Sequence, residues 1–145
     1  NFVLATAICA SLLAQLIKVL LNLFIFHRFI AERMWGAGGM PSSHSATVCA
    51  MVVATGRYCG VNSPLFAIAA VLSIIVMYDA MGVRYETGEQ AKVLNRMFTE
   101  WMDQGFEQFQ LPHGKKLKEM VGHTPIEVVT GAALGIVLGF AMPMV

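Results

Sequence analysis

Charge is what this sequence has least of. Only 13% of its 145 residues are charged, against 57% hydrophobic, whereas soluble domains run nearer a quarter charged. A formal net charge of +1 leaves no basic surface standing out from its background, which argues against nucleic acid as a partner. Cysteine is scarce and unpatterned. Cys9, Cys49 and Cys59 lie in apolar surroundings with no CxxC pair, so they read as buried thiols rather than a disulfide or zinc framework. No internal repeat or low-complexity tract is visible, and the length suits one domain, residues 1–145. The first residue is Asn1, so a start methionine is expected to be missing or removed, with or without a targeting peptide.

Long apolar runs take the place of charge. Four segments, about 2–26, 43–60, 64–82 and 125–145, compare with the roughly 20 helical residues that span a bilayer. The expected fold is all-α, a polytopic membrane bundle of about four transmembrane helices. Lys18 and Glu127 are the lone charges in the first and last spans, and the third ends at Asp79. The connection 84–122 differs. Val93, Leu94, Met97, Phe98, Trp101 and Met102 recur at helical spacing, with Glu89, Lys92, Arg96, Glu100 and Asp103 on other faces. This amphipathic helix reads equally as an interfacial helix, on the membrane or covering a site, and as one packing its stripe on the protein. Residues Gln110 to Lys118, with Pro112 and Gly114, read as a loop.

Four spans place the turn 28–41 and the connection 84–122 on one face. That face carries Arg28, Arg33, Arg84, Lys92, Arg96, Lys115, Lys116 and Lys118, while the other carries Arg57. The positive-inside bias then puts the basic face in the cytoplasm or its equivalent, such as a plastid stroma.

The same topology gathers four sequence-distant clusters at that face: Lys18, "GGMPSSHSA" (Gly38 to Ala46), "YDAMGVR" (Tyr78 to Arg84) and "GHTPIEV" (Gly122 to Val128). Intramembrane ionisable residues are costly and so invite a functional reading. Gly38 and Gly39 permit a backbone nest for an anion. Pro41, Ser42, Ser43 and Ser45 then open a helix, whose N-terminus also favours anions. His44 adds a group that titrates near neutrality, although a plain helix cap would account for most of the stretch. His123 precedes the last span with Glu127 four residues on, near enough in a helix to fix the imidazole tautomer. Thr124, Pro125 and Glu127 also fit a capping box with proline at the first helical position. Arg84 suits bidentate phosphate binding, and Asp79 can pair with Lys18 or Arg84. Lys18 either serves the site or snorkels to the surface. Two histidines, cations, an anion nest and a carboxylate are what phosphoryl transfer through a histidine requires.

"GGMPSSHSATV", "MYDAMGVR", "GEQAKVLN" and "GHTPIEVVTGAALG" together resemble the divergent membrane branch of the type 2 phosphatidic acid phosphatase and vanadium haloperoxidase-related superfamily. The resemblance runs from Gln15 to Gly139, and its wording is similar to photosynthetic members, which points to a plastid or thylakoid membrane beside the bacterial inner membrane. It implies that His44, in a Pro-Ser-Gly-His motif with Ser43 for glycine, is the general acid. It implies that His123 is the nucleophile, with Glu127 standing for the usual aspartate. Lys18, Ser42, Ser43, Gly39 and Arg84 are implied as phosphate-binding residues, supported by Asp79. Two arginines of the pattern are replaced, by Ile25 and Leu117. Arg84 is the natural substitute for one, and Arg33 or Lys116 stands in reach of the other.

The function implied is an acid-phosphatase-like membrane hydrolase acting on a lipid phosphate or small phosphomonoester through a phosphohistidine, without metal or cofactor. A haloperoxidase fits less well, because two basic positions are gone and those enzymes are large soluble bundles. The replaced arginines, with Glu127 in place of aspartate, support a second class, a non-catalytic small membrane subunit or assembly factor of a larger membrane complex such as a photosynthetic one; intact His44 and His123 speak against it.

Overall fold

The computed structural model describes residues 1–26, 39–104, 116–119 and 121–144, which form five helices and no strand. These are α1 (Phe2–Phe26), α2 (Ser43–Cys59), α3 (Pro64–Met81), α4 (Val83–Asp103) and α5 (Pro125–Ala141). Gly38, Arg28, Arg33, Lys115 and most of the loop expected around Pro112 and Gly114 lie outside the described residues.

Local chemistry sets the helix limits. Ser42 Oγ accepts from Ser45 N at the start of α2, and Ser63 Oγ accepts from Phe66 N at the start of α3, where Pro64 holds the first position. Gly60 ends α2 with a φ of 83°, its N–H donating back to Gly56 O. Helix α5 stops at Ala141, short of the expected 145, because Met142 takes an extended conformation ahead of Pro143.

Helix α2 is the centre of the bundle, packed by α1, α3 and α5. The interior is made of small residues. Thr6, Ala10, Ala14 and Lys18 follow one another at four-residue steps down the buried face of α1. Ala46, Ala50 and Ala54 are buried on α2. Gly131, Gly135 and Gly139 on α5 lie against this face of α2, so close that a Cβ at Gly135 would sit 2.9 Å from the Ala46 carbonyl carbon. The outer surface is the reverse. Leu12 is 65% exposed, and Ile68, Ile74 and Val137 are exposed to a similar degree. Small inside and large aliphatic outside is an arrangement that water would penalise by about 25 cal/mol per Å² and that lipid permits. Close backbone approach through small-xxx-small stripes is likewise the packing of membrane helices.

Two helices, α1 and the run beginning at Pro64, are long and apolar enough to cross a bilayer; α5 is apolar and shorter, at 17 residues. The molecule is an all-helical membrane bundle. Gly135→Leu is expected to force α5 off α2 and lower stability by on the order of 1–3 kcal/mol, the scale of overpacking. Thermal unfolding in detergent would check it, since an unchanged midpoint would mean that this contact carries no packing.

Candidate active site at the basic end of the bundle

Two backbone hydrogen bonds join the helix ends at which the polar clusters lie. Ser42 N donates to Glu127 O at 2.9 Å, tying the start of α2 to the first turn of α5. His123 N donates to Ala80 O at 2.9 Å, tying the residue ahead of α5 to the end of α3. Gly122 makes the second contact possible. Its φ of 87° is open to glycine, and a Cβ there would run into the Arg84–Tyr85 backbone.

These ties bring the two histidines together, with ring centroids 5.8 Å apart and planes at 63°. His123 is only 2% exposed, and its Nδ1 lies 3.1 Å from Glu127 Oε2. The same oxygen accepts from Thr124 N at 3.0 Å, while Thr124 Oγ1 accepts from Glu127 N at 3.5 Å. The capping box and the histidine–carboxylate contact are therefore not alternatives. One carboxylate closes the helix start and accepts a hydrogen bond from Nδ1–H. The neutral ring then keeps an unprotonated Nε2, which is buried without a hydrogen-bond partner among the described residues.

A cavity of about 340 Å³ is lined by both histidines together with Asp79, Arg84, Ile75, Val76, Ala80 and Gly122. His44 is exposed on its side of the cavity. Arg84 Nε lies 2.7 Å from Asp79 Oδ2, and both side chains are about half exposed, so this ion pair adds little stability by itself. Burial lowers the pKa of the His123 imidazole below its ordinary value of 6.5. Glu127 opposes this by hydrogen bond and charge, while Lys18 and His44 reinforce it. The net direction favours the neutral ring.

Not every residue singled out from the sequence lines this cavity. Lys18 is 2% exposed, so it does not snorkel, and it lies beneath Gly39, whose Cβ would sit 3.4 Å from its Cδ. Among the described residues its ammonium makes no ion pair; Glu127, His123 and His44 are within its electrostatic reach. Ser42 Oγ accepts from Ser45 Oγ at 3.1 Å, and both are fully buried, which commits these hydroxyls to the helix cap. Ser43 is buried in the first turn of α2. Gly39 and Glu127 instead line a smaller pocket, about 140 Å³, which Gly122 also lines.

Sequence reasoning passed over two supports. Asn95 is 4% exposed and accepts from Leu117 N at 2.8 Å, pinning the segment that leads to His123. Ala80 contributes only its carbonyl, for which no side-chain signal exists. The Asn95 signal was present in "GEQAKVLN", where Gly88, Ala91 and Asn95 fall on one helical face and are the buried residues of α4.

Residues 1–138 match the family model described as the Divergent PAP2 family. The chain is also 39% identical over 144 residues to the uncharacterized membrane protein YuiD of Bacillus subtilis, across 95% of this chain and 91% of that protein. No solved structure matches it.

Proposed function

The chain belongs to the Divergent PAP2 family of membrane proteins, and on that footing we propose that it is a phosphatase hydrolysing a phosphomonoester, lipid phosphates included, through a phosphohistidine. The observation that carries this is the state of His123: Nδ1 on a carboxylate, Nε2 buried and unpartnered among the described residues, and a second histidine beside it at a shared cavity. In the first step Nε2 attacks phosphorus and the P–O ester bond breaks. The His44 imidazolium gives its proton to the departing oxygen. The phosphorylated ring carries a positive charge that Glu127 stabilises. In the second step neutral His44 takes a proton from water as the water oxygen attacks phosphorus, the P–N bond breaks, and inorganic phosphate leaves. Arg84 offers the cavity its guanidinium for the phosphate oxygens, and buried Lys18 adds positive potential behind His123. By the positive-inside bias the site opens to the cytoplasm or stroma.

The purified protein is expected to release inorganic phosphate from members of a panel of lipid and soluble phosphomonoesters. Its activity should fall with acid only below pH 6.5, because the neutral His123 nucleophile is lost as pH drops through a pKa held below that value. An acid limb above pH 6.5 would contradict the assignment of His123. A single arginine at the cavity, already paired with Asp79, favours a second reading, a non-catalytic membrane subunit. No turnover across the whole panel would put that reading first.

A further inference from the structure

Helix α4 has three faces, and the proposed reaction uses none of its second half. One face clamps Leu117, Glu119 and Val121. Asn95 Nδ2 donates to Leu117 O at 2.9 Å and to Glu119 Oε1 at 2.8 Å, and a Cβ at Gly88 would meet Val121 O at 2.9 Å. A second face carries two exposed ion pairs, Lys92 with Glu89 at 2.6 Å and Arg96 with Glu100 at 2.9 Å. The third is apolar and uncovered among the described residues. Val93 is 58% exposed, Leu94 43% and Met97 38%.

The position of α4 says what covers that third face. Gly82 alone separates it from α3, whose Ile74, Ile75 and Tyr78 are exposed apolar residues of a membrane span. Helix α4 thus starts at the depth where a span ends, and its exposed stripe continues the lipid-facing surface of the bundle. Lys92 and Arg96 are paired with Glu89 and Glu100 beside the stripe, so the seating rests on the apolar residues and on their continuity with α3 rather than on charge. We infer that α4 lies along the bilayer surface with Val93, Leu94 and Met97 in the boundary between headgroups and acyl chains, so that a lipid surface is the partner of this face. The membrane then supports the helix that holds Leu117, Glu119 and Val121, and through Val121 the backbone of Gly122 and His123. This seating does not depend on the phosphatase reading.

Nitroxide labels test it without any activity. In a chain with Cys9, Cys49 and Cys59 replaced by alanine, labels are placed singly through Val93→Cys, Met97→Cys, Lys92→Cys and Arg96→Cys. The protein is reconstituted in vesicles of phosphatidylcholine and phosphatidylglycerol. Collision with oxygen, relative to a water-soluble nickel chelate, is expected to shift upward at 93 and 97 and to stay low at 92 and 96. Nickel access at all four positions would overturn the inference, placing α4 in water. Shielding of 93 and 97 from both reagents would overturn it too, because protein would then cover the stripe. Should the cysteine-free chain fail to fold, Trp35→Phe leaves Trp101, one turn beyond Met97, as the fluorophore. Quenching by lipids brominated high on the acyl chain supports the seating, and absence of quenching rejects it.

Discussion

His123→Ala is expected to remove phosphate release altogether, a loss on the order of 10⁶-fold, the scale seen when a catalytic nucleophile is deleted. The protein should remain folded, because the hydrogen bond that ties this residue to Ala80 comes from its backbone N–H, and detergent melting would verify this. His44→Ala should behave differently. A general acid contributes about 10²- to 10⁴-fold, and only where the departing oxygen needs a proton. Alkyl phosphates should therefore lose that much rate, while aryl phosphates, whose leaving groups are already weak bases, should be nearly spared. Equal losses on both substrate types would remove His44 from the role of proton donor. Wild-type turnover by His123→Ala on any phosphomonoester would end the phosphohistidine mechanism.

Glu127→Gln is the second large effect and separates two duties of one side chain. Glutamine also completes a capping box, so α5 should start where it does now and the melting point should hold. Its neutral amide cannot match a carboxylate that accepts from both Thr124 N and His123 Nδ1 through Oε2. The imidazole then loses the partner that sets its tautomer, and kcat should fall by about 10²- to 10⁴-fold. Glu127 raises the His123 pKa, so its removal should also move the acid limb to lower pH. A slowed enzyme with an unmoved acid limb would mean that Glu127 acts through the helix start alone.

How far the sequence discloses this arrangement depends on what carries each part. The helices at Phe2–Phe26 and Pro64–Met81 are long apolar runs with clear stops, and they were legible as such. So was the gathering of the polar clusters: Ser42 N meets Glu127 O, His123 N meets Ala80 O, and Lys18 lies under Gly39. The way α5 packs on α2 went unread, although Gly131, Gly135 and Gly139 stand at a visible four-residue spacing, because glycines in an apolar run look like filler until a partner helix is placed against them. The partition of cations was beyond sequence. Lys18 and Arg84 are equal candidates for a phosphate by residue type, yet Arg84 lines the cavity and Lys18 lies buried under Gly39. That outcome is decided by which way each helix turns its face. Glu127 carried two readings because each needs the same four-residue geometry, and the structure satisfies both with one oxygen.

In the proposed mechanism His123 Nε2 bonds to phosphorus during turnover. Rapid quenching of the wild-type protein with a good phosphomonoester, followed by proteolysis at alkaline pH and mass spectrometry, reads it directly. One acid-labile phosphoryl group is expected on the peptide containing His123, absent from His123→Ala and enriched in a variant slowed in the second step. Phosphate release in normal turnover with no phosphorylated His123 under any quench, or with the phosphoryl group on another residue, would contradict it.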